Sequence, residues 1–121
     1  MGKFVISKNT NGEFKYEFRT NNDEIIFEKS GYRNKAMCLN VIESIKNNSQ
    51  DDSKFYRKRT TDNECYFNLK SANGKILGTS KTYANRATRE DIIQFVKLTS
   101  VNAIIEDYSS KNIQLSSKML S

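Results

Sequence analysis

At 121 residues the chain suffices for one core, or for two small halves that share one, and is too short for two independently stable domains joined by a linker. Its 28% charged, 36% hydrophobic and 11% aromatic residues form a globular balance with no apolar run long enough to span a membrane, and Met1-Gly2-Lys3-Phe4-Val5 enters a strand pattern directly, so a cytoplasmic protein is expected. The net charge of +6 brings an anionic partner into consideration, while two cysteines are too few for a disulfide framework.

Phe4 and Ile6 alternate with polar neighbours, and Thr10-Asn11-Gly12 supplies a three-residue hairpin loop with Gly12 in the left-handed position. This loop sets Ile6 opposite Tyr16 and Phe4 opposite Phe18, so that the apolar residues of both strands share a face. Asn22-Asp23 reads as a two-residue turn, after which Ile25 and Phe27 join the face of Phe18. Asn34 is the N-cap of an amphipathic helix over 35–47, with Cys38, Ile42 and Ile45 as its buried stripe, widened by Leu39 and Val41. A polar stretch from Asn47 to Asp52 follows.

The same grammar then repeats 51 positions on, the separation of Tyr32 and Tyr83. Phe55 falls opposite Leu69, with Asn63 at the place of Gly12. Asn73-Gly74 again reads as a two-residue turn, and Ile76 and Gly78 take the places of Ile25 and Phe27; a glycine opposite Leu69 implies that something packs closely there. Asn85 caps a helix over 86–98 whose stripe is Thr88, Ile92, Ile93, Phe95 and Val96. Ala103-Ile104-Ile105 reads as a short strand, and the serine-rich stretch 109–121 as a frayed tail. The chain is thus an internal duplication of the α+β class, each copy a three-stranded antiparallel meander with a helix over its apolar face. Residues 1–108 form one domain of two repeats, 2–50 and 53–107, related by a pseudo-two-fold axis and sharing one mostly antiparallel sheet packed by two helices.

The repeated hairpin with its Asn-Gly turn, the Tyr that follows it, the helix end Asn40-Val41-Ile42-Glu43-Ser44-Ile45-Lys46-Asn47-Asn48 and the run from Lys70 to Ser80 resemble the YegP-like family of small tandem-repeat bacterial and archaeal proteins, over residues 2–107. The resemblance implies two β(3)-α-β units in a single sheet with exchanged C-terminal strands, and a family without an established biochemical activity. Val41 and Ile92 stand where that family usually has a helix glycine, and Asp91 to Thr99 departs from its helix-end pattern.

Chemistry is sparse. The chain has no histidine, which removes the commonest general base and metal ligand, and Cys38 and Cys65 occupy core positions where thiols are inert. The acidic pairs Asp23-Glu24, Asp51-Asp52, Glu90-Asp91 and Glu106-Asp107 suit turns, a linker and a helix start, and no phosphate-binding or dinucleotide glycine motif occurs. No catalytic residue, cofactor or metal is expected. Residues 1–50 carry eight basic and six acidic side chains, whereas residues 51–101 carry ten and six, with a dense run from Lys54 to Arg59. Strand parity sends Lys54, Tyr56 and Lys58 to the outer face with Tyr66, Asn68, Lys70 and Leu77, and leaves Arg57 and Arg59 on the core side with Phe55. Lys54, Lys58, Tyr66 and Lys70 therefore make a candidate anion or nucleic-acid patch, an aromatic platform flanked by cations. The leading expectation is a non-catalytic binding or interaction module of unknown partner, monomeric with an internal pseudo-dimer or weakly dimeric. Binding of single-stranded nucleic acid through this face is the first alternative, an enzyme of unknown type the second.

Overall fold

Four hairpin loops set the register of the sheet, and all four are built alike. In the computed structural model, which describes residues 1–109, the amide of the residue before each loop reaches across it: Asn9 to the Glu13 carbonyl, Thr20 to Glu24, Thr60 to Glu64 and Ser71 to Lys75, at 2.8–2.9 Å. Each loop is thus three residues long with its last residue left-handed, and the four occupants are Gly12, Asp23, Asn63 and Gly74, residue types that tolerate positive φ. The two-residue turns expected at Asn22-Asp23 and Asn73-Gly74 are corrected accordingly. The longer loop moves the returning strand by one residue, and a bulge just beyond it, between Phe18 and Arg19 and between Leu69 and Lys70, restores the pairs Phe18–Phe27 and Leu69–Gly78.

The strands are β1 (Gly2–Lys8), β2 (Phe14–Thr20), β3 (Ile25–Tyr32), β4 (Phe55–Arg59), β5 (Cys65–Lys70), β6 (Ile76–Ser80) and β7 (Ile104–Asp107), with helices α1 (Lys35–Asn48) and α2 (Arg86–Thr99) after β3 and β6. They form one sheet in the order β4-β5-β6-β3-β2-β1-β7, antiparallel except where β7 runs parallel to β1, so the second repeat delivers its last strand to the edge of the first. After α1 the first repeat passes through a 3-10 turn, Asp52–Lys54, straight into β4. Asn34 and Asn85 cap the helices as expected, their side chains accepting from the Met37 and Thr88 amides at 2.9 and 2.8 Å.

Two contacts place the pseudo-two-fold axis. Glu28 of β3 pairs with Thr79 of β6, and the hydroxyls of Ser49 and Ser100, the C-caps of the helices, meet at 2.7 Å; in both cases the partners are 51 residues apart and so are each other's equivalents. The helix ends are matched as well: Lys46 lies 5.9 Å from the Phe4 ring and Lys97 the same distance from that of Phe55.

The core lies between helices and sheet. Phe4, Tyr16, Phe18 and Phe27 of the first repeat and Phe55, Phe67 and Leu69 of the second are buried, as are Cys38, Ile42 and Ile45 of α1 and Ile93 and Val96 of α2. Burial departs from the sequence reading at four places. The bulges put Ile26 and Leu77 in the core, leaving Ile25 half-buried and Ile76 exposed, so Leu77 does not join the outer face. Leu39 is exposed; Thr88 is exposed too, its expected role falling to Arg89, which lies one turn before Ile93 and donates to the Lys58 carbonyl at the sheet edge. Val41 and Ile92 pack half-buried against the core.

The close approach implied by Gly78 is real. The Tyr16 hydroxyl, buried, donates to the Leu77 carbonyl at 2.6 Å, crossing from the first repeat to the second. A Cβ at Gly78 would collide with that hydroxyl and come 2.8 Å from Phe27 Cδ1. Expected tail residues 110–121 lie outside the described residues.

Phe18 is the hub of this core, its ring 4.7 Å from that of Phe4, 5.3 Å from Phe27 and 6.3 Å from Phe95. Phe18→Ala is expected to cost about 3 to 5 kcal/mol through lost burial and the cavity left behind. Urea melts measure it, and a loss below about 1 kcal/mol would show that the site collapses or is wet.

Candidate nucleic-acid interface

The sheet's outer face carries the candidate patch, and its two halves differ in charge. On the first repeat the outer-face cations Lys3, Lys15 and Arg19 are all paired: Lys3 with Asp23 and Glu106 at 3.0 and 3.3 Å, Lys15 with Glu17 and Glu28 at 3.1 and 3.4 Å, and Arg19 with Glu17 and Asp23. Glu17 raises the Lys15 pKa, and Lys3, followed by Arg19, holds the Asp23 carboxyl below its usual range. The lattice is closed enough to bury Val5 and Glu17 beneath it. This half is a neutralised surface.

On the second repeat the pairing of β4 with β5 sets Tyr56 opposite Asn68 and Lys58 opposite Tyr66, so the two tyrosines are diagonal neighbours. Lys70 lies 4.2 Å over the Tyr56 ring, and Tyr56 is 43% exposed. The Thr79 hydroxyl donates to Asn68 at 2.7 Å and fixes the amide beside them. Lys58 is exposed, and among the described residues its ammonium has no hydrogen-bond or ion-pair partner. Lys54 sits at the patch margin and pairs with Asp51 at 3.6 Å. The structure thus brings Lys58, Tyr66 and Lys70 together, holds Lys54 to one side, and adds Tyr56, whose parity with Lys54 and Lys58 was the signal for it. What the surface offers is a pair of tyrosine rings, the unpartnered Lys58 ammonium, and a Lys70 ammonium that rests on the Tyr56 ring without a counterion.

The remaining basic residues of the run are engaged on the helix side. Arg57 bridges Asp52 at 3.0 Å and Glu90 of α2 at 2.9 Å, and Lys97 also reaches Asp52. Glu90 first, then Asp52, raises the Arg57 pKa, while Arg57 and Lys97 hold the Asp52 carboxyl down at about 2. Arg59 donates to Asn63 within its own hairpin loop at 3.0 Å. The acidic pairs are likewise spent on structure: Asp51 caps the 3-10 turn, and Asp107 pairs with Lys35 at 2.8 Å. Both cysteines are free and buried, and burial pushes the Cys38 thiol up to about 11, with Asp107 adding to it. Among the described residues no three His, Cys, Asp or Glu side chains are grouped to hold a metal, and no helix is long and apolar enough to cross a membrane.

Comparison with known proteins matches both repeats to the family described as Domain of unknown function (DUF1508), over residues 9–55 and 61–107. The chain is 40% identical over 96 residues to a "UPF0339 protein in ptx operon 5'region" of Stutzerimonas stutzeri, covering 79% of this chain and 86% of that protein. Two solution NMR structures share the fold. A UPF0339 protein from Shewanella oneidensis has a TM-score of 0.83 at 32% identity, covering 89% of this chain and 92% of its own. YegP from E. coli, a protein of unknown function, has a TM-score of 0.82 at 30% identity, covering 89% of this chain and 93% of its own.

The Asp52 pairing carries a sign. A carboxyl whose folded pKa is depressed contributes stability that is present above its unfolded value, about 3.9, and is lost as pH falls through its folded value of about 2. Because the pair is solvent-exposed, Asp52→Asn is expected to cost about 1 kcal/mol or less at pH 7. The gap between variant and wild type should close between about pH 4 and pH 2, as thermal melts across that range would record; a gap unchanged at pH 2 would mean that Asp52 acts other than through its charge.

Proposed function

We propose a function for this chain, which belongs to the DUF1508 family and shares its fold with the UPF0339 proteins: it is a non-catalytic binding module that takes single-stranded nucleic acid on the outer face of its second repeat. The observation that carries this reading is the diagonal pair Tyr56 and Tyr66 flanked by Lys58 and Lys70, on a face whose other half is neutralised by its own carboxylates. Exposed aromatic rings on a sheet stack bases whatever their identity, and adjacent ammonium groups neutralise the phosphates between them. A single strand fits better than a duplex, whose bases are already stacked on one another.

The absence of histidine and the burial of both thiols support the non-catalytic part of the reading, and two unpaired buried thiols suit the reducing cytoplasm. The two repeats already supply a pseudo-dimer, and the platform is complete within one chain.

Fluorescence anisotropy with labelled single-stranded RNA and DNA, titrated with salt, tests the proposal. With Lys58 and Lys70 each contributing one phosphate contact, the slope of log K against log salt is expected to be about −1.4, falling towards zero in Lys58→Ala/Lys70→Ala. Tyr56→Ala should weaken binding by about 1 to 3 kcal/mol while leaving that slope unchanged, because it removes stacking and no charge. Absence of saturable binding at low salt, or equal affinity in the variants, would overturn the assignment.

A further inference from the structure

The helix side of the molecule carries two pockets that the duplication makes equivalent. The first, of about 230 Å³, lies between Tyr32, Asn40 and Val41 of the first repeat and Lys75, Ile76 and Leu77 of the second. The other, of about 340 Å³, is walled by the counterparts Tyr83, Ile92, Glu24, Ile25 and Ile26. Each pocket thus has a tyrosine and a helix from one repeat and a hairpin from the other, so neither exists until the repeats have docked.

Two features of the first pocket point to a ligand. Tyr32 is 8% exposed, and its hydroxyl, buried, has no hydrogen-bond partner. An unpaired buried donor costs free energy that an acceptor brought into the pocket would recover. Lys75 is exposed, and among the described residues its ammonium has neither a counterion nor a hydrogen-bond partner. It is the one ionised side chain of the lining, whose remaining walls are the aliphatic Val41, Ile76 and Leu77 and neutral polar groups such as Asn40. A donor and a cation both lacking an acceptor, beside an apolar wall, describe the complement of a carboxylate attached to a small apolar body.

We infer that this pocket binds a small organic carboxylate, its oxygens accepting from the Tyr32 hydroxyl and the Lys75 ammonium and its hydrocarbon part lying against Val41, Ile76 and Leu77. The volume is below that of drug-sized sites, which limits the ligand to the dimensions of a small metabolite. The equivalent pocket is the internal control, because Glu24 stands there in the place of Lys75 and repels the same ligand, while the cation of that lining, Lys81, is already paired with Glu28 at 3.0 Å. The site is independent of the sheet face, which lies on the opposite side of the strands.

The test is a titration of the ¹⁵N-labelled protein, followed by amide shifts, with benzoate, with benzamide as its neutral counterpart, and with inorganic phosphate as the anion lacking an apolar body. Saturable benzoate shifts centred on Tyr32, Val41 and Ile76, about tenfold tighter than benzamide or phosphate and lost in Lys75→Glu, are expected. Tyr32→Phe should weaken benzoate while leaving the melting temperature equal or higher, since it deletes an unpaired hydroxyl; a residue with a packing role alone would leave binding unchanged. No saturation up to about 10 mM benzoate, equal affinity for benzamide or phosphate, shifts centred on Ile26 and Tyr83, or unaltered binding by either variant would overturn the inference.

Discussion

The junction between the repeats has room for one aromatic ring where the duplication would place two. Phe27 and Gly78 are equivalent positions on β3 and β6, and these strands meet at the pseudo-two-fold axis, where Glu28 pairs with Thr79. A Cβ at Gly78 would already come 2.8 Å from the Phe27 ring, so a second phenylalanine is excluded. The space left above the glycine is taken by Tyr16, whose hydroxyl satisfies the Leu77 carbonyl and ties the first repeat to the backbone of the second. At the place equivalent to Tyr16 stands Phe67, which packs edge-on against Phe27 at 6.2 Å and has no hydroxyl to place. A tandem protein can break its symmetry in this way because the two copies are free to differ, and here the break sits at the seam where the shared sheet and core join the repeats.

The same freedom separates the two outer half-faces. On the first repeat Glu17 lies between Lys15 and Arg19 and absorbs both charges. Its equivalent on the second repeat is Asn68, which accepts from Thr79 and neutralises nothing. One exchange of carboxylate for amide thus leaves Lys58 and Lys70 without a counterion, and Tyr56 and Tyr66 stand where Val5 and Lys15 contribute to a sealed surface. These substitutions are why the proposal assigns binding to one half of a symmetric scaffold. The acidic linker residues Asp51 and Asp52 occupy Lys54, Arg57 and Lys97, which keeps the run from Lys54 to Arg59 from being a single basic patch.

Much of the fold was legible because it is written in local chemistry. Asn34 and Asn85 precede periodic apolar stripes, Gly12 and Asn63 can adopt positive φ, and alternation along β1, β2, β4 and β5 decides which face is buried. The glycine at 78, isolated in a strand, signalled close packing without naming Tyr16. Asn73-Gly74 misled because the pair suits a two-residue turn and a three-residue loop equally; the difference is decided by a bulge that carries Leu77 from the outer face to the core. Nothing local marks Arg89 as buried, because its burial depends on the end of β4 beneath it. The candidate patch followed from parity, but Lys54's engagement with Asp51 depends on the 3-10 turn, and the unpaired Tyr32 hydroxyl on the docking of α1 against the other repeat's hairpin. Both are tertiary facts with no periodic signature.

The constraint at the junction is tested most directly by a double-mutant cycle in urea between Gly78→Ala and Tyr16→Phe. If the missing Cβ makes room for the hydroxyl, Gly78→Ala costs about 1 to 3 kcal/mol in the wild type through overpacking, and markedly less once Tyr16→Phe has removed the nearest obstructing atom. The predicted result is a coupling energy above about 0.5 kcal/mol between the two sites. Costs that simply add, with Gly78→Ala equally damaging in both backgrounds, would contradict the claim that one tyrosine over one glycine locks the two repeats together.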